Sequence, residues 1–309
     1  MKITILDAST YGEGVDLDVF KQFGETAIYE TTSAELTKER IVDSDIVITN
    51  KVVIDKELMQ SATKLKLICI GATGMNNIDL EAAKEYSISV KNVAGYSTHS
   101  VVQHTLSMVL YLISHSRYFD EYVKNDMWSK SDIFTHLGRN FYEIKGKSWG
   151  IIGLGAIGEQ VALVASTLGA NVHYFSTSGK NSNNNYRQVS LENLLKTSDI
   201  ITIHAPLNEQ TKNLLNSDTL AILKDDAVLI NVGRGGIINE DDLAKAMDNS
   251  NIYVGLDVLE NEPMKENHPL LAIKKPEHLY ITPHIAWTSI EARKSLIESI
   301  VNNIETFLN

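Results

Sequence analysis

Three side chains that lie apart in the sequence have the types needed for acid-base chemistry beside a bound carboxylate. They are Arg234 in the run NVGRGG, Glu262 just before Pro263, and His284 just after Pro283. An arginine offers a rigid fork that matches a carboxylate in a bidentate pair, although a structural ion pair is its ordinary alternative. An imidazole beside a carboxylate is a proton-transfer unit, because the carboxylate selects the ring tautomer and stabilises the imidazolium. Read alone, His284 is more simply a satisfied structural or surface histidine. Asp257 closes the apolar run YVGLD five residues before Glu262 and is a second acid near the same segment. Metal chemistry has less support: His99 and His104 are five apart and form no HExxH, and a single cysteine cannot build a cysteine-rich zinc site. No metal is therefore expected. The one GxSxG match, GKSWG at 146–150, opens an apolar strand and is not a strand-to-helix turn, so it is no nucleophile elbow, and a GxxxxGK[ST] phosphate loop is missing from the sequence.

The elements that must position these groups are organised around residues 147–158, KSWGIIGLGAIG. A short apolar strand runs into GxGxxG and then directly into the helical pattern 159–168, the context in which the motif signals dinucleotide binding. Gly153 serves the tight turn, Gly155 lets backbone approach a pyrophosphate, and Gly158 lets the helix close on the strand. The free N–H groups of the helix start then face the phosphates. Further strands are expected at 170–175, 200–204, 227–231, 253–257 and 279–281, with helices at 191–196, 217–223 and 240–248. Arg234 follows the strand at 227–231 and so falls at the carboxyl edge of a parallel sheet, where such sheets bind ligands.

The region before this unit repeats the alternation without the glycine motif. Strands are expected at 3–7, 45–49, 65–70 and 88–93, with helices at 17–23, 34–41, 56–61 and 80–86. Short apolar strands separated by helices imply a parallel sheet covered on both faces, so residues 1 to about 97 form a first α/β unit. Residues 98–117 read as one long amphipathic helix, followed by an irregular stretch, 118–142, whose Trp128, Phe134 and Tyr142 suggest packing against a partner. The last helix, 289–307, is amphipathic, and periodicity alone does not say which surface it covers.

At 309 residues and 43% apolar, the chain can fill two ordinary cores. The net charge of −11 disfavours nucleic acid and anionic membrane as partners, since both need clustered Lys and Arg. Cys69, inside an apolar run, reads as a buried small hydrophobe in a reducing compartment. With no signal peptide and no membrane-spanning stretch in the sequence, the expected location is cytoplasmic.

Taken together, WGIIGLGAIG, HAPLNEQTKNLL, LINVGRGGIINEDDL, GLDVLENEP and TPHIAW resemble, in order and spacing, the D-isomer-specific 2-hydroxyacid dehydrogenase family. The resemblance covers nearly the whole chain. It implies an α/β fold of two Rossmann-like parallel-sheet domains, with the NAD(P)-binding domain (99–285) inserted into a flavodoxin-like substrate domain (1–98 and 286–309). It also implies a cleft that closes between them, and a homodimer with 99–145 contributing to the interface. The family's catalytic arginine, glutamate and histidine fall on Arg234, Glu262 and His284, and its nicotinamide-placing aspartate on Asp257. Substrate contacts are implied for Lys51, for the turn Ala72, Thr73 and Gly74, for Arg234, and for Trp287. Coenzyme contacts are expected at Thr98, Gly153, Gly155, Ala156, Ile157, Gly158, His204, Ala205, Pro206, Thr211, Asn231, Val232, Gly233, Arg234, Asp257 and His284, and, from their own side chains and not from the resemblance, at Ser176, Thr177, Ser178 and Lys180. Gln103 departs from the pattern, standing where the family often has glutamate.

The tryptophan three residues after His284, with the TNKV and ATGMNNID segments, resembles the hydroxypyruvate reductase or glycerate dehydrogenase branch. Hydroxypyruvate and D-glycerate are therefore the expected substrate pair, with glyoxylate as a second substrate. Trp287 has packing or a dimer contact as its plain alternative. Other activities within the same pattern are a D-lactate-type or broad D-2-hydroxyacid dehydrogenase and a phosphoglycerate dehydrogenase. A coenzyme-dependent corepressor or sensor is the alternative outside enzymology, and the complete set of Arg234, Glu262 and His284 argues against it. NAD is the expected coenzyme by family habit. NADP is the alternative, because 173–180, HYFSTSGK, has no acid for a ribose and offers Ser176, Thr177, Ser178 and Lys180, with Arg187 beyond, to a 2′-phosphate.

Overall fold

The computed structural model describes residues 1–180 and 182–309; Asn181, within the polar loop 176–187, lies outside the described residues. The chain divides into two compact units, Met1–Ser97 with Trp287–Asn309, and Thr98–Ala286.

In the first unit, β1 (Lys2–Ile5), β2 (Glu25–Ile28), β3 (Ile46–Thr49), β4 (Leu67–Ile70) and β5 (Ser89–Lys91) form a parallel sheet in the order β2-β1-β3-β4-β5. Alternation of side chains along each strand supplies two cores. Ile3, Ile5, Ile46, Ile48, Leu67 and Cys69 face one, and Val47, Ile68 and Ile70 face the other with Ile41 and Met59. The second face is covered by α1 (Ala34–Ile41), α2 (Lys56–Ser61) and α3 (Leu80–Glu85). The first face receives the C-terminal helix Ile290–Leu308, through Leu296, Ile297, Ile300 and Ile304. Each such side chain contributes about 1.5–3 kcal/mol by burial, which identifies the surface that the final amphipathic helix covers.

Two features of this unit refine the sequence reading. The helix expected at 17–23 is of the 3₁₀ kind, Asp18–Phe23, and holds Phe20 in the core. Strand β2 was not expected at all. It is four residues at the sheet edge with both faces partly exposed, so it carries no apolar alternation, and its place comes from parallel pairing with β1.

In the second unit, β6 (Ser148–Ile152), β7 (Asn171–Phe175), β8 (Arg187–Gln188), β9 (Ile200–Ile203), β10 (Val228–Asn231), β11 (Tyr253–Leu256) and β12 (Leu279–Ile281) form a parallel sheet in the order β12-β11-β10-β9-β6-β7-β8. Its helices are α4 (Thr98–Ile113), α5 (Ser116–Lys124), α6 (Ala156–Thr167), α7 (Leu191–Thr197), α8 (Ser217–Leu220) and α9 (Glu240–Asn249). Gly255 marks where α4 meets the sheet: a Cβ there would lie 2.6 Å from Ile230 Cδ1 and 3.3 Å from Met108 Cε. Because the strands all run the same way, the residues that follow β6, β7, β9, β10, β11 and β12 share one edge.

The single helix expected over 98–117 is two. His115 adopts a left-handed conformation (φ 49°), which ends one helix and redirects the chain into α5. The stretch at 118–142 therefore begins as helix. Its aromatic groups cluster, with Tyr122 stacked on His136 at 3.7 Å and Phe119 edge-on to Phe141, while Phe134 and Leu137 remain 90% and 79% exposed. The loop at 176–187 runs into the two-residue strand β8, too short to register in the sequence. Among the described residues, no helix is long and apolar enough to cross a membrane.

Candidate active site

Strand β6 ends at Ile152, and the next residue, Gly153, has a φ of 91° that turns the chain back toward α6 and a missing Cβ that would stand 2.9 Å from the Ala205 backbone. Gly155 caps α6, and a Cβ on it would meet nothing within 4 Å. At Gly158 a Cβ would collide with the Gly153 carbonyl at 2.3 Å, so the close turn and the helix packing require glycine there. The space over Gly155, at the start of a three-turn helix, fits an anionic group held by backbone N–H donors.

The neighbouring strand ends present polar atoms without partners. Ser176, directly after β7, is buried and its Oγ has no hydrogen bond in the structure. Directly after β9, both ring nitrogens of His204 are covered and unpartnered, and burial pushes its pKa down to about 3, so the ring is neutral. Buried polar atoms normally have partners, and these two, beside the glycine turn, suit a polar dinucleotide. Thr177 is half-buried and Ser178 and Lys180 are exposed on the same loop. Thr211 is fully buried, and its hydroxyl donates to the Pro206 carbonyl (2.6 Å) while accepting the Asn208 N–H (2.8 Å). Its side chain thus shapes the 204–211 turn.

After β10, the Asn231 side chain accepts the Gly233 N–H (3.0 Å) and donates to the Arg234 carbonyl (2.9 Å). This clasp sets the turn from which Arg234 projects. The guanidinium donates to the Gly233 carbonyl at 2.8 Å, so it is partly restrained.

Glu262 and His284, 22 residues apart, meet: Nδ1 lies 2.7 Å from Oε2. The other glutamate oxygen accepts the Leu259 N–H at 3.0 Å. The carboxylate therefore holds a proton on Nδ1 and leaves Nε2 for chemistry. The pair is partly exposed, at 26% and 36% for its two side chains.

His284 itself is held in a left-handed conformation (φ 55°) by Asp257. The fully buried Asp257 carboxylate accepts the Thr282 hydroxyl (2.6 Å), the Ile285 N–H (2.8 Å) and the Ala286 N–H (2.8 Å). His104 on α4 joins this group, with Nε2 3.0 Å from the Thr282 hydroxyl and 3.5 Å from Asp257. Burial lowers the His104 pKa, and the Asp257 charge opposes that shift. The sequence marks Asp257 as a strand-end acid; its grip on the 282–286 turn, and the part of His104 and Thr282, become visible only in the fold. The closest sequence signal was His104 interrupting an apolar helix stripe.

The residues expected to contact substrate outside this edge lie in the first unit. Asp7, buried at the end of β1, accepts the Asn50 N–H (3.0 Å) and the Lys51 N–H (2.6 Å), fixing the turn that bears Lys51. Nothing in the sequence singled it out. The turn at 72–74 is tied down by the Thr73 hydroxyl to Val93 O (3.1 Å) and by Asn92 Nδ2 to Thr73 O (2.7 Å). Trp287 packs edge-on against Tyr96 at 6.3 Å and against the core under the C-terminal helix, so packing accounts for much of its surface. Thr98 begins α4, and Gln103 is exposed on that helix. Cys69 is buried and its thiol pushed up to about 12 by burial, which leaves it no nucleophilic role near neutral pH.

Comparison with known proteins places this geometry. The family described as D-isomer specific 2-hydroxyacid dehydrogenase, NAD binding domain, matches residues 106–286. A hydroxypyruvate reductase of Blautia hydrogenotrophica is 35% identical over all of this chain and 97% of its own. A glycerate dehydrogenase of Methylorubrum extorquens is 35% identical over 91% of this chain and 88% of its own. Among solved structures, an acyclic imino acid reductase in complex with NADPH and D-Arg superposes with a TM-score of 0.88 at 29% identity, covering 100% of this chain and 97% of that one.

Proposed function

This chain belongs to the D-isomer-specific 2-hydroxyacid dehydrogenases, NAD(P)-dependent oxidoreductases that act on a small 2-hydroxy or 2-keto acid, and from that premise we propose that it interconverts hydroxypyruvate and D-glycerate, with glyoxylate as a second substrate. The observation that carries the reading is the 2.7 Å contact between Glu262 and His284 at the sheet edge that also presents Arg234. The names of the two relatives support the substrate choice.

The glycine turn from Gly153 to Gly158, with Ser176 and His204, would hold a nicotinamide coenzyme, whose chemistry there would be hydride exchange with C2 of the substrate. Arg234 pairs with the substrate carboxylate and polarises the keto oxygen. His284, oriented by Glu262, delivers a proton to that oxygen in reduction and removes it in oxidation. Lys51, the 72–74 turn and Trp287 complete the substrate contacts, so the unit Met1–Ser97 with Trp287–Asn309 is the substrate domain and Thr98–Ala286 the coenzyme domain. NAD is the preferred coenzyme in this reading. NADP is the competing choice, supported by the Ser176 hydroxyl and the adjacent Ser178 and Lys180 in a loop without an acid. Two chains pair through residues 99–145, a role supported by the exposed Phe134 and Leu137. A cytoplasmic location goes with the reduced, buried Cys69.

The decisive experiment is a set of steady-state titrations with NADH and NADPH against hydroxypyruvate, glyoxylate, pyruvate and 2-ketobutyrate. The highest kcat/KM is expected for hydroxypyruvate with NADH. Preference for pyruvate or 2-ketobutyrate would reject the substrate, and equal efficiency with NADPH would reject the coenzyme preference. A His284→Ala enzyme should lose about 10²- to 10⁴-fold in turnover; near-normal turnover at neutral pH would reject the acid-base assignment.

A further inference from the structure

Glu240, the first residue of α9, is a largely shielded glutamate that grips the loop bearing Glu262. One of its oxygens accepts the Glu260 N–H at 2.7 Å. The other lies 2.8 Å from Nε2 of His268, at the far end of the same loop. His268 Nδ1 accepts the Leu270 N–H (3.3 Å), so its proton is on Nε2 and points at Glu240. The two side chains are only 9% and 12% exposed, which makes this a shielded, charge-assisted contact and not a surface ion pair.

Between those two anchors stands Glu262. The Leu259 N–H donates to Glu262 and the next one, that of Glu260, donates to Glu240. Two carboxylates thus hold successive amides of one short segment. A third constraint comes from the Arg234 turn: a Cβ on Gly235 would stand 1.9 Å from the Leu259 carbonyl oxygen, so the two backbones are in direct apposition. A cavity of about 620 Å³ is lined by Glu240, His268 and the loop, and Asp241, Glu260, Lys265 and Glu266 are the other titratable groups lining it. Glu262 faces His284.

We propose that Glu240 and His268 form a strap that fixes the loop 259–268, making Glu240 a positioning residue for the Glu262–His284 pair. The inference rests on that pair being the acid-base unit of the proposed reaction. Loss of the strap leaves the Glu260 N–H without its carboxylate and lets Glu262 move from Nδ1, so the imidazolium is stabilised for only part of the time.

The test compares E240A, E240Q and E262Q, alone and with E240A added to E262Q, in keto-acid reduction over a pH series. E240A should lower kcat by about 10-fold, a fraction of the full effect of a positioned acid, and the fall of kcat with rising pH should begin at a lower pH, as in E262Q. E240Q keeps an oxygen for the Glu260 N–H but turns its NH₂ toward His268, so it should recover only part of the rate. In the E262Q background, E240A should move the pH profile no further. A folded E240A enzyme with an unmoved profile, or a further shift in the double variant, would overturn the strap while leaving the Glu262–His284 reading intact. An unmoved profile in E262Q itself would overturn both. Should E240A fail to fold, H268Q removes the other anchor and is expected to shift the profile in the same direction.

Discussion

The carboxylate of Asp257 offers the sharpest perturbation of the turn that carries His284. In Asp257→Asn the shape is kept and one acceptor becomes a donor. Oδ1 carries two of the three hydrogen bonds, from Thr282 and Ile285, and Oδ2 carries that of Ala286. The amide oxygen will therefore keep the two-donor position, leaving an NH₂ group facing the Ala286 N–H. A hydrogen bond to a charged group contributes about 1.5–3 kcal/mol, and a buried donor left without a partner costs about 1–3 kcal/mol. With partial relaxation of the turn, a loss of about 3 kcal/mol in unfolding free energy is expected by urea titration of the coenzyme-free protein. Displacement of His284 by even part of an ångström should also lower kcat by roughly 10- to 100-fold. NADH affinity, read by fluorescence, should change far less. Stability within about 0.5 kcal/mol of the parent, combined with a large loss of NADH binding, would refute the turn-holding role and favour direct placement of the nicotinamide.

Four other outcomes follow from the same geometry. Gly155→Ala should leave stability nearly unchanged, because nothing lies within 4 Å of the new methyl, yet raise the NADH dissociation constant at least about 10-fold by filling the cradle, which equilibrium titration would detect. Gly235→Ala should destabilise by several kcal/mol, on the order of an overpacked core site, since its Cβ would overlap the Leu259 carbonyl; thermal melts decide this. His204 has a folded-state pKa of about 3, below its value of about 6.5 in an unfolded chain. Its neutral burial therefore favours folding above pH 6.5 and that contribution is lost as pH falls toward 3. A His204→Leu protein should show a shallower fall in stability over that window. Cys69, with its thiol at about 12, should resist iodoacetamide at pH 8 in the native state and react after denaturation, as mass spectrometry would report.

Much of this molecule is legible in its residues because the signals are local. The GxGxxG turn follows an apolar strand and precedes a helix, so sterics at Gly153 and Gly158 dictate its shape wherever it occurs. Short, largely apolar runs such as 46–49 and 200–203, set between helical patterns, read as strands buried on both faces, and they are. Strand polarity then puts Arg234, Asp257 and His284 on the edge where ligands bind. The types of Arg234, Glu262 and His284 are those proton transfer beside a carboxylate needs, and the resemblance of the surrounding motifs to a known family, not their spacing, gave the three their expected roles.

What tertiary structure alone decided involves partners distant in sequence. Strand β2 exists because β1 offers it a pairing edge, not because ETAI has a strand pattern. The helix at 98–113 stops where His115 takes a left-handed turn, a choice that apolar periodicity does not encode. The carboxylates of Asp7, Asp257 and Glu240 look alike in the sequence. Burial forced each to find donors, and the fold supplied them from backbone N–H groups 20 to 44 residues away. A buried charge costs several kcal/mol unless it is paired, and this requirement, met only in three dimensions, turns three ordinary acids into the clamps that hold the turns of Lys51, His284 and Glu262.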